Sequence, residues 1–185
     1  MAVHRILRMG HPNLRRQADV IDPAAIHSDA FERLLTDMVD TLRDYGGIGL
    51  AAPQIDVPLR LAIIELPGGP SRYGELAKIP MTVFINPVLT VIDDEAAGYW
   101  EGCLSVPGLR GFVARPQHVE VSYLDSEGNS ARMTLKGFSA TVVQHEFDHL
   151  DGRLYIDHIT DMSKLVFEDE FARYVVPAID ADHVV

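Results

Sequence analysis

What the chain has little of narrows its identity first. It contains one cysteine, Cys103, so no internal disulfide can form, which fits a reducing cytoplasm. Basic residues are scarce: 16 Lys and Arg face 27 Asp and Glu, a formal net charge of -11 that argues against gripping nucleic-acid phosphates. No apolar run approaches the roughly 20 residues that span a bilayer, and no membrane partner is expected. The start, MAVHRILRMGHPNLRRQ, is basic but lacks the apolar core of a secretory signal. Internal repeats, low-complexity tracts and linkers are absent too. A chain of 185 residues, 47% hydrophobic and 23% charged, suffices for one soluble domain and is short for two.

What is present divides into strands and helices of familiar pattern. In SDAFERLLTDMVDTLRDYGG, Phe31, Leu34, Leu35, Met38, Val39 and Leu42 recur at helical spacing. Ser28 is placed to cap that helix, and Gly46 and Gly47 to stop it. LRLAIIEL and TVFINPVL read as short buried strands separated by a Pro/Gly-rich loop from Pro67 to Pro80. HVEVSYLD, the turn SEGNS and ARMTLKGF read as a hairpin. SATVVQHEFDHLDG carries β-branched Thr141, Val142 and Val143, yet its histidine spacing favours a helix capped by Ser139. SKLVFEDEFARYV reads as a last helix. Strands followed by segregated helices predict an α+β domain.

The chemistry concentrates in QHEFDHLDG. Residues four apart share a helix face, so His145 and His149 can converge on one ion, with Glu146 beside it to handle a proton on water. Three sources of a third ligand stand open. In the extended pattern H-E-x-x-H-x-x-G-x-x-H, Gly152 matches the glycine, but the final position holds Tyr155. Glu168 and Glu170 lie downstream at a distance other zinc hydrolases use, inside the charge run FEDEF. Upstream, Cys103 in YWEGCLSVPG offers a thiolate, and Cys with two His leaves a fourth position for water, an open catalytic site. A third stretch, GGIGLAAPQID, has little side-chain bulk and no phosphate-loop order. It ends in Gln54, whose side-chain amide can donate to an oxyanion.

Taken together, Gly47-Ile48-Gly49-Leu50-Ala51-Ala52-Pro53-Gln54, Glu101-Gly102-Cys103-Leu104-Ser105 and His145-Glu146-Phe147-Asp148-His149 resemble the three signatures of peptide deformylases. The likeness runs from about ILRMGHPNLR to Ile159 and fades in the Pro67–Pro80 loop and beyond Thr160, so residues 161–185 stand as a less family-like helix and tail of one catalytic domain. It implies antiparallel and mixed sheets packed around a central metal-binding helix. It also implies removal of the formyl group from the N-terminal formyl-methionine of new polypeptides, with release of formate. By similarity Cys103, His145 and His149 hold one divalent metal, Glu146 moves the proton, and the Gln54 amide and Leu104 N–H form the oxyanion hole. The substrate peptide would add as a strand along Gly49, with Ile48, Phe138, Val142 and His145 around the methionine side chain. Glu101 would pair with Arg115, Arg110 would sit near the peptide, and Asp148 would anchor the helix or a histidine.

The donor set accepts Fe(II), Zn(II), Ni(II) or Co(II), with Fe(II) the family precedent. Transient proximity to the ribosome is implied. Direct nucleic-acid binding is not expected, because Asp161, Glu168, Asp169, Glu170, Asp180 and Asp182 face only Lys164 and Arg173 in the tail. Leu165, Val166 and Phe171 are instead expected to pack on the protein's own surface or on a second subunit. Two rival readings are a zinc endopeptidase on the same helix, which has no need of Cys103, and a metal-containing peptide-binding module without catalysis, which has no need of Glu146 and Gln54.

Overall fold

The computed structural model describes residues 2–71 and 74–182; the last residues of the acidic tail and two positions of the Pro67–Pro80 loop lie outside the described residues. Ser28 caps the first long helix, α1 (Asp29–Tyr45), its hydroxyl accepting the Phe31 N–H at 3.2 Å, and Gly46 ends it at φ 66°. The chain then enters a short strand β1 (Gly49–Ala51), a 3-10 turn (Ala52–Ile55) and strand β2 (Leu61–Leu66).

The stretch read as a loop holds a small two-stranded sheet, β3 (Gly69–Ser71) with β4 (Gly74–Leu76). Next comes an antiparallel hairpin of unusual length, β5 (Ile79–Cys103) and β6 (Val106–Leu124), and then β7 (Ser130–Lys136). The predicted hairpin of residues 118–138 is present as the pairing of β6 with β7. Helix α2 (Phe138–Leu150) follows. Strand β8 (Leu165–Phe167) pairs with β6, and α3 (Glu168–Glu170) runs through a π-helical stretch (Phe171–Val175) into α4 (Val176–Asp182).

The expected last helix therefore begins later than its sequence suggests. Leu165, Val166 and Phe167 are strand formers, and the edge of β6 at Leu109–Gly111 offers them backbone partners that a helix would forgo. The expectation that this segment packs on the protein itself holds for Phe171, which is buried with its ring 5.2 Å from that of Trp100.

The main sheet runs β1-β2-β5-β6-β7, with β8 on β6, and every strand pair is antiparallel. Alternation along β2 explains the layering. Ala62, Ile64 and Leu66 face a core shared with Ala140, Val143, Phe147 and Leu150 of α2, while Leu61 and Ile63 face Phe31, Met38 and Leu42 of α1. A near-continuous apolar strand is thus covered by a helix on each face. This matches the α+β expectation, with α2 central. No helix of the described residues is long and apolar enough to cross a membrane.

Register shifts bend the β5–β6 hairpin away from the sheet, between Ile85 and Val88, Val91 and Asp93, and Asp93 and Ala96. Its far end thereby reaches α2. At the end of α2 the chain turns at Gly152, with φ 70°, and a Cβ there would lie 2.6 Å from the Arg15 carbonyl oxygen. Gly152→Ala should therefore lose about 2 kcal/mol of stability or more, through left-handed strain and a backbone clash. Urea unfolding read by far-UV circular dichroism checks this; an unchanged midpoint would show that the Arg15 backbone yields freely.

Candidate active site

Helix α2 begins one residue after Gly137, which takes φ 59° and ψ -140° and accepts no side-chain cap. Ser139, expected to cap it, lies inside the first turn and is buried. The reason is the close return of β7: the turn at Gly137 needs a positive φ, and Ser139 is already committed to the helix when it ends. Thr141, Val142 and Val143, poor helix formers, are tolerated because all three are buried against the sheet and the cavity. On the helix, His145 and His149 present their rings to one another at 5.4 Å between centroids.

Cys103 reaches the same point from the end of β5, where an irregularity between Glu101 and Cys103 turns the thiol off the ladder. The ligand atoms of Cys103, His145 and His149 lie within 4.8 Å of one another, with Cys103 Sγ 3.3 Å from His149 Nε2. The Ser105 N–H points at the sulfur from 3.4 Å and Gln54 Nε2 from 3.6 Å. Burial opposes ionisation of this thiol, yet His149 and His145 hold it well below the ordinary thiol range. One soft anionic donor and two imidazoles, converging on one point, suit a single transition-metal ion.

The alternatives for a third ligand fall elsewhere. Glu168 pairs with Arg110, its Oε1 accepting from Nε at 3.0 Å and Nη2 at 2.5 Å, and Glu170 is exposed. Tyr155 stacks its ring on His145 at 5.9 Å.

Behind the histidines lies a buried ionic chain. His145 Nδ1 meets Glu101 Oε2 at 2.7 Å, which leaves its other nitrogen for the cluster. Arg115 donates to both Glu101 oxygens, at 2.6 and 3.1 Å, and also lies 2.8 Å from Asp148. His158 contacts that same Asp148 oxygen from 3.0 Å. Glu101 and Arg115 are 6% and 4% exposed, so neither charge could persist without the other. Burial works against the Glu101 charge, but His145 and Arg115 outweigh it and hold its carboxyl below the usual range. The expected pairing of Glu101 with Arg115 is present, and Asp148 is held by ion-pair contacts with Arg115 and His158.

Glu146 faces the opposite way. It is buried, its Oε2 has no hydrogen-bond partner, and burial pushes its carboxyl up to about 7. Gly49 packs against it so closely that a Cβ would sit 2.3 Å from Glu146 Oε1. Gln54 is fixed from behind, its Oε1 accepting the Ala51 N–H at 2.8 Å, so its Nε2 turns toward Ser105 Oγ (3.2 Å) and Cys103.

Gly49, Gln54, Glu101, Cys103, His145 and Glu146 line one cavity of about 880 Å³ together with Ile48, Leu104, Arg110, Phe138 and Val142. His149 completes the ligand cluster from behind this lining, and Arg115 and Asp148 lie beyond it. Trp100, Arg5 and Arg8 line it too, and sequence reasoning missed them; Glu168, weighed as a ligand, lines it as the partner of Arg110, and Phe171, expected only to pack, lines it as well. None sits inside a signature stretch, and only the return of the chain ends to the hairpin brings them in. His158 escaped notice for the same reason.

A sequence model of the polypeptide deformylase family matches residues 3–165. Peptide deformylase 1 of Prochlorococcus marinus is 46% identical over 170 residues, 92% of this chain and 88% of that protein. Among solved structures, a peptide deformylase from Acinetobacter baumannii with Met-Ala-Ser bound superposes with a TM-score of 0.80 at 33% identity, covering 85% of this chain and 99% of that one. A peptide deformylase from Synechococcus elongatus in complex with actinonin gives 0.76 at 33% identity, over 87% and 81%.

The donor set makes a direct prediction. Cys103→Ala should lose most of its bound metal, measured by inductively coupled plasma mass spectrometry, whereas Glu170→Gln should keep a full complement. Full metal in Cys103→Ala would remove the thiol from the ligand set.

Proposed function

The chain belongs to the polypeptide deformylase family, and from that premise we propose how its own residues remove the formyl group from the N-terminal formyl-methionine of new polypeptides. The overall reaction is metal-dependent hydrolysis of a formamide, releasing formate. Cys103, His145 and His149 hold the ion. A divalent cation there supplies polarisation of the formyl oxygen and acidifies a water molecule. Glu146 takes the proton of the attacking water and delivers it to the departing nitrogen, a role favoured by a carboxyl raised to about 7. Gln54 Nε2 and the Leu104 N–H donate to the oxygen that gains charge. The bond from Ala51 to Gln54 Oε1 keeps the amide aimed, so little reorganisation accompanies the reaction.

The peptide adds along β1, an edge strand of the main sheet, beside Gly49. Ile48, Phe138, Val142 and the His145 ring receive the methionine side chain, and Arg110 meets the chain beyond it. That the Acinetobacter relative was solved with Met-Ala-Ser bound supports a peptide ligand that begins with methionine. The observation that carries the reading is the meeting of one thiol and two imidazoles beside a buried, unpartnered carboxyl. Residues 1–185 act as a single catalytic domain. The native ion is Fe(II), with Zn(II), Ni(II) and Co(II) as working substitutes; the enzyme is cytoplasmic and works near the ribosome exit without binding nucleic acid.

Formate release from formyl-Met peptides, assayed anaerobically alongside metal analysis, tests the reading. Glu146→Gln should keep its metal while kcat falls by about 10²–10⁴, the range for a lost acid–base group. Near-normal turnover in that variant would give the proton to another residue. The choice of iron has its own test, since Fe(II) and the Cys103 thiolate are both oxidisable. Activity of the iron-loaded enzyme should decay in air and that of the nickel-loaded enzyme persist; equal decay would count against iron.

A further inference from the structure

The mouth of the cavity carries charge of the sign opposite to the chain as a whole. The segment Arg5–Met9 crosses it without helix or strand and is tied at two points. The Leu7 N–H donates to the Gln54 carbonyl oxygen at 2.8 Å, and the Met9 N–H to that of Ser105 at 2.7 Å. Ile6 is buried in the core shared with α1. The backbone of this segment is thus anchored to the two stretches that carry Gln54 and Ser105, and its Arg5 and Arg8 side chains line the cavity.

Both arginines are exposed, and among the described residues neither has an ion-pair partner. Their neighbours in sequence and space are neutralised: Arg15 pairs with Asp157, Arg16 with Asp19 and Arg110 with Glu168. Two uncompensated positive charges therefore stand at the entrance of a protein whose formal net charge is -11. At physiological salt, charges beyond about 8 Å are largely screened, so a peptide at the mouth responds to these two groups and not to the distant acidic surface. A formyl peptide has no α-ammonium, and its charge near the site comes from its side chains.

We propose that Arg5 and Arg8 form a subsite for carboxylate side chains in the residues that follow formyl-methionine, so that chains with Asp or Glu there are processed faster than chains with Lys. The proposal rests on the deformylase reading of the same cavity. It adds a charge preference that the three signature stretches do not encode.

The test compares kcat/KM for C-terminally amidated formyl-Met-Ala-Xaa and formyl-Met-Xaa-Ala peptides with Xaa as Asp, Asn or Lys, at low and high salt. In the wild-type enzyme the Asp peptide of at least one series should exceed its Lys counterpart by about fivefold or more at low salt, mostly through KM, and the ratio should shrink toward one at about 1 M salt. The Arg5→Gln/Arg8→Gln double variant should lose most of that ratio even at low salt, and Arg5→Lys/Arg8→Lys should retain it. Circular dichroism and metal content certify each variant. Should the glutamine variant fail to fold, the lysine variant and the wild-type salt dependence still decide. A wild-type ratio at or below one in both series, or a ratio untouched by the glutamine substitutions, would overturn the subsite while leaving deformylation intact. A ratio left untouched while the glutamine variant loses co-sedimentation with ribosomes would overturn it in favour of docking on the ribosome. Formate from none of the peptides would instead overturn the deformylase reading itself.

Discussion

Arg115 is a guanidinium withdrawn almost wholly from water, and the position of the metal-site helix depends on how its charge is met. Two carboxylates answer it, Glu101 from β5 and Asp148 from α2, while Arg115 itself stands on β6. Removing Glu101, which takes two of its hydrogen bonds, would leave the buried cation with Asp148 alone, and a broken buried pair costs up to about 3–5 kcal/mol. The hairpin and the helix are thereby held together by charge at the point where apolar packing gives way to the cavity. Glu101 carries the constraint one step further, because the same carboxylate that meets Arg115 fixes the ring of His145. Orientation of a metal-site side chain is thus inherited from an ion pair almost wholly withdrawn from solvent.

The opposite principle governs Glu146, whose environment withholds partners. Gly49 presses against its carboxylate and one of its oxygens is unpaired, so burial above all raises its proton affinity, with the Cys103 and Glu101 charges adding to it. On one helix, then, two adjacent residues receive contrary treatment. His145 is tied to an anion, and Glu146 is kept dry and unengaged. Such separation of neighbouring environments is how a site assigns an orienting role to one group and a proton-transfer role to the next.

The sequence disclosed this division unevenly. Local signals were legible: the Ser28 cap, the Gly46 stop, the residue 118–136 hairpin and the i, i+4 histidines each rest on short-range rules. The third ligand stayed open on residues alone, since Cys103, Glu168 and Glu170 were all chemically suited, and only the bend of β5 separates them in space. That bend was itself hidden. DDEAAG (residues 93–98) is polar and yields no element from sequence alone, yet it continues as strand, paired to β6 through successive register shifts. Leu165–Phe167 misled for a related reason, because the β6 edge that recruits it is more than 50 residues away in sequence. The Glu101–Arg115 pair was reached only through family resemblance, Phe171 was expected to pack but not to line the cavity, and Arg5 and Arg8 were not reached at all.

The cavity gathers residues from Arg5 to Phe171, drawing on segments at both extremes of the described chain. Its construction is therefore a problem of long loop closures, which fold slowly because entropy is lost before distant contacts form. During synthesis the amide of Gln54 and the thiol of Cys103 emerge well before α2, and wait, unassembled, for the histidines. The wall formed by Glu168 and Phe171 arrives later still. No emerging fragment of this polypeptide holds a finished cavity, so whatever chemistry the cavity performs falls to molecules completed earlier.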